Sequence, residues 1–404
     1  MRELLDIFLE AALVDLARQL VRAPSEQSAL FEADPAVQAF IGDCVMPILA
    51  RHGHPGRRDA MGNAIFESGP AGAARPAMLM AYAMTHPANA MPDPFGAALI
   101  DAPGGTSGAP AGASSSGLSI RGRGIAEQKG SLAAAIAAFV AASAIDPAAR
   151  RMLVVSTAGE TGSHTAAECV LSAIDTLPAL CVVAIGTGGK VALANKGRLD
   201  VHVEVRGRSS HSSTPWAGVD AIAGARVVME RLDTLDLGAK RHPLLGAATL
   251  SQTAIRSFPE ATHTIQDRVQ LTYDRRLLPG DDAGEALEQV RQALHGIEPW
   301  PVEVRAGVLQ HPAEMHADGA FMRAMRAGCA RMGIDCPDTF ASHGCVDAGL
   351  LARLGCEAAM WGPGEQSMWH TADEQLPVKD LVRGAAGYLG LLLEFPRGEG
   401  RAAG

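Results

Sequence analysis

The first half of the chain alternates short, continuously apolar stretches with amphipathic or apolar helical ones. Strands are predicted at 76–84, 151–157 and 180–185, a helix at 130–142, and an amphipathic helix within 1–22. An apolar run without alternation is typical of a strand that is buried on both faces. The pattern therefore predicts an α/β fold with a mixed, mostly parallel sheet that is covered by helices.

The pattern changes at about residue 197. Residues 199–205 alternate strictly, with Val201, Val203 and Val205 on one side, which predicts a half-buried strand of an antiparallel sheet. A helix, a strand, a second helix and a further strand are predicted to follow, at 219–232, 269–273, 281–295 and 302–308. From about 311 the earlier pattern returns. We therefore predict a discontinuous domain, 1–196 and 311–404, with an inserted α+β domain at 197–310.

Charge and cysteine content exclude several classes of function. Lys and Arg number 35 against 44 Asp and Glu, and the net charge of −9 argues against nonspecific nucleic-acid binding. The seven cysteines include no Cys-x-x-Cys pair, which indicates the reduced thiols of a cytoplasmic protein. The charged N-terminal stretch is unlike a signal sequence, and without 18 consecutive apolar residues no membrane span is expected. Residues 101–117, rich in Gly, Ala, Ser and Pro, are predicted to be a flexible surface loop.

Two stretches carry the strongest chemical signal. Residues 122–130 read Gly-Arg-Gly-Ile-Ala-Glu-Gln-Lys-Gly, and residues 369–374 read Trp-His-Thr-Ala-Asp-Glu after a Gly-Pro-Gly turn at 362–364. Together they resemble motifs of the M20 family of metallohydrolases, which includes aminoacylases, deacetylases and carboxypeptidases. The resemblance extends over about residues 5–395. It implies metal-dependent hydrolysis, and a lid domain that also forms a homodimer.

The resemblance also implies which metal ligands remain. Tyr82 stands where the family has the first metal-binding His, Met84 where it has the Asp that follows, and Ile185 where it has a metal-binding Glu. Neither Met nor Ile suits a hard metal site, and Tyr is an uncommon ligand. The second set is kept as Glu127, in place of the bridging Asp, with Glu160 and His370. We therefore expect one divalent ion for each subunit, Zn²⁺ or Mn²⁺.

The general base of the family has no direct counterpart. When the motif at 156–162 is aligned on its final glycine, Gly159 occupies the base position and Glu160 the ligand position; a slip of one residue makes Glu160 the base instead. Side chains that could replace the base are His86, His164, Tyr82, or an oxygen of Glu127 or Glu160 that does not bind metal. Whether Tyr82 or His86 joins the metal site stays open at this stage, since His86 could also be a polar residue at a strand end.

The substrate side of the pattern is better kept. His211, in the stretch 207–215, matches a family His that crosses the dimer and polarises the scissile carbonyl. Arg276 matches an Arg that can bind a substrate carboxylate through its planar fork. The backbone at Gly362 and Gly364 can approach an anion closely. His263 replaces a family Asn, which indicates a substrate other than an ordinary acylated amino acid.

These features predict a cytoplasmic hydrolase that cleaves a C–N bond of a small carboxylate-bearing molecule, with His211 and Glu160 as catalytic residues. The bond is either an amide or an activated aromatic amine, as in the related 5-nitroanthranilate aminohydrolase. Two alternatives remain. One is an inactive small-molecule-binding protein that keeps the fold; the other is a metal-free enzyme that uses Glu160, His211 and His370 for acid–base chemistry.

Overall fold

The chain divides into two compact units. The computed structural model describes residues 6–70, 72, 74–101, 117–159 and 161–398. The larger unit comprises Met1–Leu193, Met315–Phe340 and Val346–Gly404, and the smaller comprises Ala194–Glu314 and Ala341–Cys345. The predicted boundaries were 196/197 and 310/311. The sequence did not predict that 341–345 joins the smaller unit, where the Lys196 backbone N–H donates to the Ser342 carbonyl.

The larger unit contains a six-stranded sheet, two smaller groups of strands, and helices on both faces of the main sheet. Its α-helices are Glu10–Arg22, Pro35–Ala39, Met46–Arg51, Gly130–Ile145, Thr165–Ala173, Ala320–Met332, Ala348–Arg353 and Val378–Gly398. Short 3-10 helices span Asp6–Phe8, Phe31–Ala33 and Gln366–Met368, and π-helices span Phe40–Val45 and Ile125–Lys129. Strands outside the main sheet are Ala98–Asp101, Leu118–Arg121 and Gln375–Pro377. Strands Val191–Asn195 and Thr339–Ser342 lie where the chain passes between the two units.

The main sheet is mixed and mostly parallel, which confirms the predicted fold class. Its strands lie in the order Arg57–Arg58, Ala64–Ser68, Arg151–Ser156, Ala77–Tyr82, Leu180–Ala184 and Glu357–Trp361. The last four run parallel, and the first two pair antiparallel at one edge. The three predicted strands form its centre, and every residue of the three is buried. Continuous apolar sequence and two-sided burial thus agree.

The helix Gly130–Ile145 is the central covering element. It is apolar on all sides, and 14 of its 16 residues are buried. With the preceding π-turn it is long and apolar enough to cross a membrane by length and composition, yet 89% of that apolar stretch is buried inside the protein. It packs against the terminal helix Val378–Gly398 and the central strands. Because the helix is buried on nearly all sides, its apolar composition is that of a core helix.

The smaller unit is an antiparallel sheet with its helices on one face. The strands lie in the order Thr249–Phe258, Arg268–Leu277, Gly197–Arg206 and Val302–Gln310. Helices Ala221–Asp233 and Ala283–Ala293 pack against the face of the sheet to which Val201, Val203 and Val205 contribute their side chains. The unit also contains the 3-10 helix Pro215–Ala217 and the short strands Ser210–His211, Arg241–His242, Gly246–Ala247, Thr264–Ile265 and Ala313–Glu314.

One strand of this sheet was not predicted. Thr249–Phe258 forms an edge and is exposed along most of its length. Its sequence, Thr-Leu-Ser-Gln-Thr-Ala-Ile-Arg-Ser-Phe, has no apolar face with a period of two, because neither of its faces is buried in this chain. Only its antiparallel pairing with the neighbouring strand Arg268–Leu277 identifies it as a strand.

The packing of the terminal helix gives a first prediction. Gly328 and Gly390 bring their two helices into backbone contact, and a Cβ at Gly390 would lie 2.5 Å from the Gly328 carbonyl oxygen. We expect Gly390→Ala to lower the free energy of unfolding by about 1–3 kcal/mol, because overpacking outweighs the gain in helix propensity. Urea denaturation measures this, with Gly117→Ala as the control, since a Cβ there meets no atom of the described residues within 4 Å. Equal stability of the two variants would show that the helices adjust freely.

Candidate active site

The first element of the site is a π-turn, Ile125–Lys129, that carries Glu127. The turn begins at Gly124, whose φ of 79° is the left-handed conformation that glycine adopts without strain. The Lys129 N–H donates to the Gly124 carbonyl at 2.6 Å, the spacing of five residues that defines a π-helix. Glu127 is buried at 5% exposure. Single π-turns are frequent at functional sites, because the extra residue redirects side chains.

Glu374 holds this turn in place. Its carboxylate accepts backbone N–H groups of Gly124, Ala126 and Glu127 at 2.8, 3.0 and 3.3 Å, and the Arg123 guanidinium at 2.8 Å. Burial raises the pKa of the Glu374 carboxyl, and these donors oppose that shift. A buried carboxylate is stable only when its oxygens are paired in this way. Glu374 therefore connects the π-turn to the loop that contains His370.

That loop presents His370 to Glu127. The His370 Nε2 lies 3.2 Å from the Glu127 Oε2. His370 has a φ of 61°, which is uncommon for a residue other than glycine and is typical of sites where the surrounding structure imposes the conformation. The His86 ring stacks on the His370 ring with centroids 3.9 Å apart and planes at 16°. His86 thus lies beside the site, although it follows the strand Ala77–Tyr82 by four residues.

Two of the three predicted metal ligands, Glu127 and His370, therefore meet. Glu160, the third, lies outside the described residues. Within the described part of the chain, no three His, Cys, Asp or Glu side chains come together as a metal site. A carboxylate and an imidazole suit Zn²⁺ or Mn²⁺. The described residues thus fit two ligands of such a site, with a third required from elsewhere.

The Gly362–Gly364 turn packs against the same π-turn from another side. A Cβ at Gly364 or at Gly186 would overlap the Ala126 carbonyl, so only glycine fits at either position. The carbonyl of Gly362 accepts the Thr187 N–H, and that of Gly364 accepts the Gly188 N–H. This contact explains Gly186 and Gly364 without a ligand. The role of Gly362 and Gly364 in substrate binding stays a prediction.

Tyr82, one of the positions where the family resemblance implies a lost metal ligand, belongs to a buried hydrogen-bonded network. The Tyr82 hydroxyl donates to Asp347 Oδ2 at 2.8 Å, and His164 Nδ1 lies 2.7 Å from Asp347 Oδ1. All three residues are at most 4% exposed. Burial first, and then the charge of Asp347, raise the pKa of Tyr82 well above its usual value, so its hydroxyl stays protonated. Ile185 is also buried and offers no polar group.

Gly159, which the ungapped alignment puts at the position of the family's general base, has no room for a side chain. A Cβ at this position would overlap the Met84 carbonyl oxygen. The two segments are joined there, since the Met84 N–H donates to the Ala158 carbonyl at 3.2 Å. A glutamate at position 159 therefore cannot enter this backbone arrangement unless the two segments move apart.

In the smaller unit, His211 and His263 lie together at an exposed pair of strands. His211 pairs with Thr264 and its ring centroid lies 5.9 Å from that of His263. The Ser213 N–H donates to His211 Nδ1 at 3.2 Å, and the Ser213 hydroxyl lies 2.7 Å from the same nitrogen. Both contacts use Nδ1, and neither uses Nε2. Both predicted residues thus belong to one surface.

Arg276 is held by its own strand. Its guanidinium forms a two-point ion pair with Asp274, at 2.8 and 3.0 Å, and donates to the His343 carbonyl at 3.2 Å. A substrate carboxylate bound here would compete with Asp274 or share the guanidinium with it. The predicted role of Arg276 stays a prediction.

Sequence reasoning did not identify Asp347, Glu374 or Trp369 as functional. Asp347 lies 265 positions from Tyr82, and no motif links them. The signal that was available is Tyr82 itself, since a buried tyrosine hydroxyl needs a partner. The Trp369 indole N–H is buried and, within the described chain, has no hydrogen-bond partner. Lys129 is fully buried, donates to the Ala23 carbonyl at 2.7 Å, and has its pKa lowered to about 7 by burial.

Comparisons with known proteins agree with this architecture. The profile of the family described as "Peptidase dimerisation domain" matches residues 193–300. An acetylornithine deacetylase of Myxococcus xanthus is 29% identical over 269 residues, which are 65% of this chain and 68% of the relative.

Two solved structures share the fold. An M20 family metallo-carboxypeptidase from Sulfolobus solfataricus superimposes with a TM-score of 0.74 at 14% identity, over 95% of this chain and 99% of that one. A dinuclear metal-binding M20 peptidase of Bacillus subtilis gives a TM-score of 0.64 at 14% identity, over 96% of this chain and 98% of that one.

The Glu374 contacts predict a coupled loss of stability and metal binding. Glu374→Gln would place an NH₂ group against backbone donors, and we expect the free energy of unfolding to fall by about 3–5 kcal/mol, as for a broken buried ion pair. Metal affinity should fall as well, because Glu127 and His370 lose their common support.

Asp373→Asn is the matched control. Its side chain is 80% exposed and contacts only the Arg121 guanidinium among the ion pairs of the described residues, so little change is expected. Thermal unfolding and metal titration of both variants measure the difference. Equal behaviour would mean that Glu374 does not organise the site.

Proposed function

We propose that this chain, which belongs to the M20 family of hydrolases, uses a single divalent ion to cleave a C–N bond of a small carboxylate-bearing molecule. The observation that carries the proposal is the 3.2 Å contact between His370 Nε2 and Glu127 Oε2. This contact lies at the carboxyl ends of the parallel strands. Ligands and catalytic groups commonly collect at this end of parallel sheets. The deacetylase named above supports amide cleavage as the class of reaction.

The proposal of one ion rests on the contrast between two neighbouring clusters. Glu127 and His370 offer a carboxylate and an imidazole, and Glu160 is proposed as the third ligand. The other cluster already uses both oxygens of Asp347, on Tyr82 and His164. A bound Zn²⁺ or Mn²⁺ lowers the pKa of water and polarises a substrate oxygen. The family relative from Bacillus subtilis is dinuclear, so this chain would differ from it.

The chain's own residues supply binding and polarisation. Arg276 and His263 are proposed to hold the carboxylate and a second polar group of the substrate. His211 Nε2 donates a hydrogen bond to the scissile carbonyl oxygen, with Nδ1 held by Ser213. The buried Trp369 indole N–H is a further donor that a bound substrate could pair. The protein is proposed to act in the cytoplasm, in keeping with seven free cysteines.

A specific observation keeps the aromatic aminohydrolase as a second candidate. The Met84 carbonyl excludes a side chain at position 159, where the family's base would stand. General-base catalysis contributes about 10²–10⁴-fold, and an activated C–N bond tolerates its loss better than an amide does. Assays of N-acetyl-L-ornithine and 5-nitroanthranilate, each with and without a chelator, decide between the two. Binding of both compounds without turnover would favour an inactive binding protein instead.

Metal content is the direct test of the single site. We expect elemental analysis of purified protein to give one ion per chain, and His370→Ala and Glu160→Ala to lose it. Tyr82→Phe should keep the ion, because the Tyr82 hydroxyl donates a hydrogen bond to Asp347 and is not proposed to coordinate the metal. His295→Ala, at an exposed histidine, is the control for nonspecific binding. Two tightly held ions per chain would overturn the proposal.

The proposed homodimer, with His211 acting in the partner's site, allows a complementation test. His211→Ala and His370→Ala should each be inactive alone. After subunit exchange of equal amounts, half the dimers are mixed and each has one intact site. We therefore expect about a quarter of wild-type activity to return, as the symmetry of a two-fold dimer requires. No recovery, in a mixture whose exchange is verified by mass spectrometry, would place His211 in its own subunit's site.

A further inference from the structure

The rings of His86 and His370 form a face-to-face stack beside the proposed metal site. Their centroids lie 3.9 Å apart and their planes differ by 16°. In the same arrangement the His370 Nε2 lies 3.2 Å from the Glu127 Oε2. His86 therefore contacts a proposed metal ligand across the face of its ring, and the proposed function gives this contact no role.

The stack selects the plane of the His370 ring. The side chain of His370 is 43% exposed, and the torsion that turns an imidazole about its Cβ–Cγ bond is broad, so the backbone alone leaves the ring plane open. A second ring packed flat at 3.9 Å removes that freedom, because turning the His370 ring edge-on would drive its atoms into the His86 ring. The plane that remains is the one in which Nε2 faces Glu127.

The segment that carries His86 is itself held. A carbonyl oxygen only accepts hydrogen bonds, so His86 Nδ1 donates to the Pro87 carbonyl, at 3.0 Å. The Ala88 N–H donates to the Glu26 carboxylate, and the Ala88 carbonyl accepts the Arg123 guanidinium at 3.2 Å. These contacts fix the position from which the His86 ring meets His370.

Arg123 connects the His86 segment to the π-turn. One arm of its guanidinium donates to the Ala88 carbonyl and the other to Glu374 Oε2. Glu374 in turn accepts N–H groups of the π-turn, including that of Glu127. The side chains of Arg123 and Glu374 are each 1% exposed. One buried ion pair thus supports the histidine stack and the carboxylate that the stack faces.

The stacked geometry also separates positioning from metal binding. The nitrogen lone pairs of imidazole lie in the plane of the ring, so an ion bound at about 2.0–2.1 Å lies close to that plane. The planes of His86 and His370 are nearly parallel and a stacking distance apart, and they share no point within that reach. The two rings therefore cannot bind the same ion in this arrangement. Among the described residues, no three His, Cys, Asp or Glu side chains form a metal site either.

We propose that His86 is a positioning residue of the metal site, whose ring holds the His370 ring in the plane that directs Nε2 at the ion. The inference rests on the proposed function, because it assigns His86 a role toward the ion that Glu127 and His370 are proposed to hold. Groups that orient a metal ligand without binding the metal typically contribute about 10–100-fold to metal affinity.

Two substitutions separate stacking from every other role of His86. His86→Phe removes both ring nitrogens and keeps a flat aromatic face, whereas His86→Leu removes the face as well. In titrations of chelator-treated protein with Zn²⁺ and with Mn²⁺, we expect His86→Phe to bind as wild type does. His86→Leu should bind about tenfold more weakly. Thermal unfolding of each variant verifies that it is folded.

The matched control is a histidine in an aromatic contact elsewhere in the larger unit. The His54 ring packs edge-on against Phe139, with centroids 4.9 Å apart. His54→Leu removes an aromatic face of the same kind, and we expect its affinity for both ions to equal that of wild type.

A second measurement needs neither metal nor turnover. In chelator-treated protein, the ring current of His86 should shift the C–H proton NMR signals of the His370 imidazole, which are those absent from His370→Ala. We expect His86→Phe to keep a ring-current shift and His86→Leu to lose it. His370 signals that are the same in wild type and His86→Leu would show that the stack is absent in solution, and would overturn the proposal.

The two proposals fail in different ways. A wild type that binds its ion, beside a His86→Leu variant of equal affinity, overturns the role of His86 and leaves the hydrolase intact. Equal losses of affinity in His86→Phe and His86→Leu overturn it as well, since they would show that the ring nitrogens act. A wild type that binds neither Zn²⁺ nor Mn²⁺ refutes the single-ion site, and the positioning role with it.

Discussion

The carboxylate of Glu374 is the constraint on which the site depends. It takes three backbone N–H groups of the π-turn and one guanidinium in a place that water does not reach. Hydrogen bonds to a charged group contribute about 1.5–3 kcal/mol each, so together they can hold a turn whose own geometry is unfavourable. Because Glu374 follows His370 by four residues, the same contacts bring an imidazole to Glu127, at 3.2 Å. These contacts offset the energetic cost of the left-handed backbone conformation of His370.

Backbone packing fixes the same turn from its other side. Gly186 and Gly364 bring two further loops against the Ala126 carbonyl, so close that neither tolerates a Cβ. A side chain on a π-turn between these contacts has little freedom to move. That rigidity matters for Glu127, which is one methylene longer than the aspartate of the family motif it resembles. The chain thus positions a longer carboxylate by holding its backbone firmly, which is the support that a metal ligand needs from its surroundings.

The sequence predicted the elements whose apolar composition reflects their burial. It missed the elements and side chains that are defined by contacts with distant parts of the chain. Strands such as Ala77–Tyr82 were predicted because both faces are buried. The edge strand Thr249–Phe258 was missed because it buries neither face. Glu127 and His370 could be paired in advance because each lies in a recognisable motif. Asp347 could not, because its partners Tyr82 and His164 lie 265 and 183 positions away and no local pattern records the contact. Steric exclusion at Gly159 was equally invisible, since it depends on the Met84 carbonyl.

The Tyr82 network shows how polar side chains can be buried beside the central strands. The Tyr82 hydroxyl and the His164 ring both contact Asp347, and all three side chains are at most 4% exposed. A buried carboxylate is costly unless its oxygens have partners, and here each of the two oxygens has one. Tyr82 thus has a partner within the chain at the position where the family resemblance implies a metal ligand, and this contact is the physical basis for proposing that the position holds no ion.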